Sequence, residues 1–283
     1  MAYKITEKRQ LVPDVHLMNI QAPDVAAAAN AGQFIILRID EAGERIPLTI
    51  ADYNADEGSV TIIFQEMGKT TKQLAKMSAG EDLLDFVGPL GKESEIEKLG
   101  TVVLVGGGVG IAPIYPQAKE YRAAGNKVIS IIGARNKDML ILEDEMIAAS
   151  DEVLVATDDG SKGHHGFVTD LVKQLLDGDE HIDRIVAIGP PIMMRAVAGV
   201  TASYDVETLV SLNPIMVDGT GMCGGCRVNV GGEVKFACVD GPEFNAKDVD
   251  FNLLMSRLSF YRKEEADAIT KSQKGCGDDC KCQ

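Results

Sequence analysis

Two kinds of apolar patterning divide this chain. Up to about residue 97, β-branched runs such as Gln33-Phe34-Ile35-Ile36-Leu37-Arg38-Ile39 and Ser59-Val60-Thr61-Ile62-Ile63-Phe64 are bounded by turn residues, which predicts an all-β unit. One short helix interrupts it, from Thr70-Thr71 through Leu74 and Met77. From about residue 100 the pattern changes. Apolar runs at 101–105, 127–132, 152–157 and 184–188 alternate with helical stretches, the first of them near 113–124. Strands covered on both faces read as continuous apolar runs, and their alternation with helices predicts a parallel, doubly wound α/β sheet. From about 209 the chain turns loop-rich around glycine and cysteine. A helical segment follows near 248–270, then the tail Gly275-Cys276-Gly277-Asp278-Asp279-Cys280-Lys281-Cys282. No internal repeat is visible. The expected units are therefore an antiparallel β-barrel over 1–97, an α/β domain over 98–208, a small cysteine-bearing domain over 209–250, and a C-terminal helix and tail over 251–283.

Composition narrows the function. With 283 residues, 45% of them hydrophobic, the chain suits a globular protein of two or three small domains. Lys+Arg 28 against Asp+Glu 43 leaves a net charge of −15, which argues against nucleic acid and anionic membrane as partners. The start, Met1-Ala-Tyr-Lys-Ile-Thr-Glu-Lys-Arg, lacks the apolar run of a signal peptide, and no apolar stretch reaches the length of a membrane span. All six cysteines fall in the last quarter, unlike a disulfide framework. Clustered cysteines without export signals read as metal ligands in a reducing compartment, so a cytoplasmic protein is expected.

Those cysteines have a spacing. Asp218-Gly-Thr-Gly-Met-Cys223-Gly-Gly-Cys226, with Cys238 twelve positions on, follows the plant-type [2Fe–2S] loop with aspartate in place of the first cysteine. A binuclear cluster needs four ligands, and glycines let the backbone fold tightly around it. A carboxylate is a harder donor than thiolate and changes the cluster potential. Two other readings stay open. Asp218-Gly219 is also a turn pair, which would pass the fourth ligand to Cys276, Cys280 or Cys282, and the same four donors could hold structural zinc.

The β-unit carries a flavin pattern. In Arg45-Ile46-Pro47-Leu48-Thr49, residues four apart on a strand share a face, so Arg45 can meet a diphosphate while Thr49 meets an isoalloxazine edge. Pro47 and Leu48 lie between them on the same strand. Gly68-Lys69-Thr70-Thr71 opens a helix whose free N–H groups suit phosphate, which makes Gly68, Thr70 and Thr71 candidates. Gly88-Pro89-Leu90-Gly91 closes the unit.

In the α/β half, Gly106-Gly107-Gly108-Val109-Gly110-Ile111-Ala112-Pro113 follows a strand and opens a helix, as a pyrophosphate loop does; Gly108, Gly110 and Pro113 are its candidates. The second strand ends in Gly133-Ala134-Arg135, where an acidic residue is the usual partner of an NAD ribose and Arg135 could accept a 2′-phosphate. The residues leave NAD against NADP open. Asp158, in Thr157-Asp158-Asp159-Gly160-Ser161, is a further nucleotide candidate; His164 and His165 after it read as solvent-exposed. Gly189-Pro190-Pro191-Ile192-Met193-Met194, taken to follow the last parallel strand, would sit at the sheet's carboxyl edge, with Gly189, Pro190 and Met193 beside nicotinamide.

The order of these motifs resembles the ferredoxin–NADP reductase superfamily over nearly all of residues 1–250. Within it, the chain is similar to electron-transfer subunits of dihydroorotate dehydrogenase and, more closely, to small subunits of electron-bifurcating NADH/ferredoxin:NADP oxidoreductases. Asn213-Pro214-Ile215-Met216-Val217-Asp218 and the loop after it carry that likeness; the dihydroorotate type is expected to have cysteine where Asp218 stands. The resemblance implies FAD, a [2Fe–2S] cluster and an NAD(H) site. It also implies a larger flavoprotein subunit with a second FAD and [4Fe–4S] clusters, where NADP and ferredoxin react. On this reading hydride is exchanged between NAD(H) and FAD, and single electrons pass through the cluster. Many relatives have cysteine at the place of Ile188, so no thiol assists there, and no catalytic acid or base is assigned. The alternatives are the partner of a dihydroorotate or other NAD-linked dehydrogenase, and a zinc-bearing interaction protein.

Overall fold

The structure, a computed structural model, describes residues 2–273; Cys276, Cys280 and Cys282 lie outside that range. The first unit contains β1 (Tyr3–Val12), β2 (Val15–Gln21), α1 (Pro23–Ala28), β3 (Phe34–Arg38), β4 (Ile46–Asn54), β5 (Ser59–Gln65), α2 (Lys69–Leu74), β6 (Asp82–Leu83) and β7 (Asp85–Leu90). Its strands pair antiparallel in the order β6-β1-β2-β5-β4-β3-β7. The two edge strands are consecutive in the chain, joined through Leu84, whose N–H donates to the Arg38 and Ile39 carbonyls at 3.1 Å. The sheet thereby curls into a nearly closed barrel filled by Ile5, Met18, Ile20, Ile35, Leu37, Ile62 and Phe64. Helix α1, which the strand pattern does not announce, enters through a proline in its first turn and buries Val25 and Ala26 against that filling.

The second unit runs β8 (Thr101–Gly107), α3 (Ile111–Ala123), β9 (Lys127–Ala134), α4 (Glu143–Ala149), β10 (Glu152–Thr157), β11 (His164–His165), α5 (Val168–Leu176), β12 (Arg184–Ile188), α6 (Pro191–Thr201) and β13 (Glu207–Ser211). Every residue of β8 and β12 is buried, because helices cover both faces of the sheet. Each large aliphatic side chain so removed from water contributes roughly 1.5–3 kcal/mol. The strand order is β11-β10-β9-β8-β12-β13, with parallel registers such as Val103↔Ile129 and Ile185↔Val103. Contrary to expectation, β12 is not the last parallel strand, since β13 pairs with it in parallel through Val186↔Leu209. Along β13 exposed and more buried positions alternate, a weaker signal than the apolar runs before it.

The third unit holds the hairpin β14 (Arg227–Val230) and β15 (Glu233–Phe236), then β16 (Glu243–Asn245), α7 (Phe251–Leu258) and α8 (Arg262–Gln273). Strand β16 pairs antiparallel with β13, through Val210↔Phe244 and Ser211↔Glu243, so the cysteine-bearing segment is anchored on the α/β sheet. Strand β13 itself spans the 208/209 division expected from composition. The helical segment near 248–270 is two helices: the Asp250 side chain caps α7 by accepting from Leu253 N at 2.9 Å, and a turn at Ser259–Tyr261 precedes α8. Helix α3 lies along the barrel, where the Tyr53 hydroxyl donates to Glu120 and Lys119 pairs with Asp52. Among the described residues, no helix is long and apolar enough to cross a membrane.

Candidate functional site

The barrel wall, the carboxyl ends of the parallel strands and the segment after β13 enclose a cleft of about 1040 Å³. Pro47, Leu48 and Thr49 of β4 and Thr71 of α2 line its barrel side. Gly108, Gly110 and Pro113 line it at the start of α3, and Arg135 and Asp158 at the ends of β9 and β10. Gly189, Pro190 and Met193 line it beyond β12. The fold thus brings flavin-side and nucleotide-side candidates onto one opening. Helix α3 starts at Ile111, two residues before Pro113, and a Cβ built on Gly110 would stand 2.2 Å from the Ile188 carbonyl oxygen. The loop can therefore approach β12 only as glycine, and it presents backbone rather than side chain to a ligand, as a pyrophosphate requires.

Three candidates do not line the cleft. The Thr70 hydroxyl donates to the Glu44 carboxylate, and Gly68 N–H donates to Thr71 Oγ1 at 2.9 Å. Arg45 precedes β4, so the two-residue alternation that would align it with Thr49 does not reach it. Its Nε donates instead to the Val217 carbonyl at 3.0 Å, and its Nη1 lies 3.8 Å from Asp85. Conversely, sequence reasoning missed Phe34, Phe64, Ser211, Asn213 and Met216, all of which face the cleft. Recognising β13 as a strand would have found the last three, because Ser211 ends it and Asn213 and Met216 follow its carboxyl end. Arg135 has no ion pair among the described residues, and Asp158 shares its edge of the cleft, so both charges are available to a nucleotide.

The cluster loop packs on the barrel. At Gly219, where φ is +77°, an added Cβ would lie 2.7 Å from Leu90 Cδ1 and 2.9 Å from Ile36 Cδ1. Asp218 turns the loop and orders it at once: Oδ1 accepts from Thr220 N at 2.9 Å and Oδ2 from Cys223 N at 2.7 Å. Those N–H groups, Thr220 foremost, hold its carboxyl below the usual carboxylate range, ready as an anionic donor. Cys223 is exposed, and Gly225 N–H points at its Sγ at 3.4 Å. Cys226 and Cys238 are buried, with their sulfurs 3.2 Å apart. Burial, then the neighbouring Cys226, raises the Cys238 thiol above the ordinary thiol range, so a bound metal must displace its proton.

The donors therefore form two pairs, Asp218 with Cys223 at the surface and Cys226 with Cys238 beneath. Among the described residues, no three His, Cys, Asp or Glu side chains converge as they would on a single ion. A split into two pairs, with backbone N–H groups aimed at sulfur, fits a two-iron cluster better than zinc. Beyond these candidate donors, Arg257 of α7 donates from Nη2 to the Gly225 carbonyl at 3.1 Å, a contact that no spacing in the sequence foretells.

Comparison with known proteins gives the following. Residues 213–250 match the iron–sulfur cluster binding domain of dihydroorotate dehydrogenase B. Residues 104–199 match the oxidoreductase NAD-binding domain. A Thermotoga maritima protein named as a homolog of the dihydroorotate dehydrogenase B (NAD(+)) electron transfer subunit is 48% identical, over 97% of this chain and 97% of its own. The Fusobacterium nucleatum dihydroorotate dehydrogenase B (NAD(+)) electron transfer subunit is 33% identical over 87% of this chain and 96% of its own. A solved chain from the NADH-dependent reduced ferredoxin-NADP oxidoreductase, described in connection with flavin-based electron bifurcation, superposes with a TM-score of 0.91. It is 46% identical and covers 96% of this chain and 98% of that one.

Proposed function

The chain belongs to the family of dihydroorotate dehydrogenase B electron-transfer subunits, and on that premise we propose that it is the small subunit of an electron-bifurcating NADH/ferredoxin:NADP oxidoreductase. It is an oxidoreductase electron-transfer subunit whose cofactors are FAD, a [2Fe–2S] cluster and NAD(H). FAD supplies the conversion between the electron pair that nicotinamide carries as hydride and the single electrons that a cluster carries. Thr49 offers its hydroxyl to the flavin ring edge, and Pro47, Leu48 and Thr71 shape the same wall. The Gly108–Pro113 loop offers backbone N–H groups to the dinucleotide, with Arg135 and Asp158 at its ribose end and Gly189, Pro190 and Met193 at its nicotinamide end. Phe34, Phe64 and Ile188 line the same cleft and would limit the water in it once the cofactors are bound. Asp218 with Cys223 would hold one iron, and Cys226 with Cys238 the other. No side chain is assigned a proton, since the protein's task is orientation and tuning.

The partner in this proposal is a larger flavoprotein subunit carrying FAD and [4Fe–4S] clusters, at which NADP and ferredoxin react, and the complex works in the cytoplasm. The observation that carries the reading is Asp218 at the first donor position of the cluster loop, ordered there by two backbone N–H groups. The alternative, a dihydroorotate dehydrogenase partner, is supported by the family name of the relatives. An anaerobic spectrum with metal analysis is expected to give flavin with about two irons and two sulfides per chain, bleached by NADH. The purified complex is expected to reduce NADP with ferredoxin; oxidation of dihydroorotate instead selects the alternative, and a colourless zinc-containing chain overturns both. Asp218→Cys is expected to keep a cluster with altered EPR and a shifted potential, and unchanged spectra would remove Asp218 from the ligand set.

A further inference from the structure

Two guanidinium groups reach the cluster loop, Arg45 from beside β4 and Arg257 from α7, and they differ in how their charge is balanced. Arg45 bonds the Val217 carbonyl, and its charge is shared with Asp85, which lies 3.8 Å from it and also takes Arg38 at 2.7 Å. Arg257 bonds the Gly225 carbonyl, between Cys223 and Cys226, yet it has no ion-pair partner among the described residues. Its Nε is buried with no hydrogen-bond acceptor. The nearest acid on its own helix, Asp250, is engaged at the α7 N-terminus. In a chain of net charge −15, a half-buried cation without a counter-ion is anomalous, because desolvating an unpaired charge is costly. The loop it touches carries two candidate thiolates and a carboxylate, and a third thiolate, Cys238, lies against Cys226, so the site becomes strongly anionic once it is loaded.

We propose that Arg257 is the counter-charge of the iron–sulfur site and raises its reduction potential. This rests on the cluster reading of the proposed function. Reduction adds one electron and one negative charge to the site without forming or breaking a bond. A fixed cation a few ångströms from the loop, partly shielded from water, stabilises the more negative state more than the less negative one. Cluster charge and the hydrogen bonds around the sulfurs are the levers that set such potentials; Arg257 acts on the first by its charge and on the second by holding in place Gly225, whose N–H faces Cys223. It is a tuning residue that touches no reacting atom, and it makes the site a readier acceptor of electrons from flavin.

The test is an EPR-monitored redox titration of the full-length holoprotein as wild type, Arg257→Gln and Arg257→Lys. Arg257→Gln is expected to lower the cluster midpoint potential and leave the flavin potential in place, while Arg257→Lys, which keeps the charge, returns most of the shift. An unchanged potential in Arg257→Gln, or an equal fall in Arg257→Lys, overturns the inference. If Arg257→Gln fails to load a cluster, the lysine variant decides: loading at near the wild-type potential upholds the role of charge, and failure overturns it in favour of loop structure alone. A wild-type chain without a cluster would instead defeat the functional reading itself, so the two failures are distinguishable.

Discussion

At the scale of single residues, Gly219 shows how closely the cluster loop is fitted to the barrel. Its φ of +77° and the approach of Leu90 and Ile36 leave no room for a side chain. Gly219→Ala is expected to cost about 1–3 kcal/mol and to lower iron and sulfide per chain, as read by thermal unfolding and metal analysis. The ligand candidates Asp218, Cys223, Cys226 and Cys238 were legible from spacing because a cluster loop is local: its donors sit close in sequence and its turns need glycine. Arg257 was not legible, since nothing in Phe251–Leu258 distinguishes it from an arginine on a solvated helix face. Nor does alternation with Thr49 foretell the bond from Arg45 to the Val217 carbonyl. Alternation is a property of strand residues, and β4 begins one residue later.

At the scale of elements, the start of α3 is the narrowest fit in the nucleotide half. A methyl group on Gly110 would collide with the Ile188 carbonyl of β12, a backbone atom that cannot rotate away. Gly110→Ala is expected to weaken NADH binding by roughly tenfold or more, about 1.4 kcal/mol at least, in a titration followed by flavin absorbance. The flavin and cluster spectra should persist, because neither the barrel nor the cysteine loop depends on that contact. The helix-opening glycine run was readable because its context is a strand before and a helix after. Strands β13 and β16 and helix α1 were not, for they are short and half-exposed, and they gain their stability from neighbours distant in sequence.

At the scale of the whole molecule, the three units meet at Glu243. Its Oε1 accepts from Ser94 Oγ at 2.7 Å and from Gln117 Nε2 at 2.6 Å, tying β16 to α3 and to the segment after the barrel. Ser94 N in turn donates to the Ala31 carbonyl at 2.8 Å. Burial raises the Glu243 carboxyl above its ordinary value of 4.5, although Ser94, Gln117 and Arg184 pull it down; Glu95 adds to the rise. The folded chain therefore holds a proton that the unfolded chain releases, so this contribution is complete below pH 4.5 and is lost as pH rises through the raised folded value. Glu243→Gln, which stays neutral, is expected to flatten that decline, so that its unfolding temperature gains on wild type as pH increases. The sequence by itself determined the succession of barrel, parallel sheet and cysteine loop, and singled out the candidate cluster donors, because hydrophobic period, turn chemistry and ligand spacing are local. Only the tertiary structure decided that flavin-side and nucleotide-side candidates share one cleft, that Glu243 joins three units, and that Arg45 and Arg257 both bond the loop, because the bonds of Glu243 and of the two arginines join positions 32 to 172 residues apart, brought together by burial of a common core.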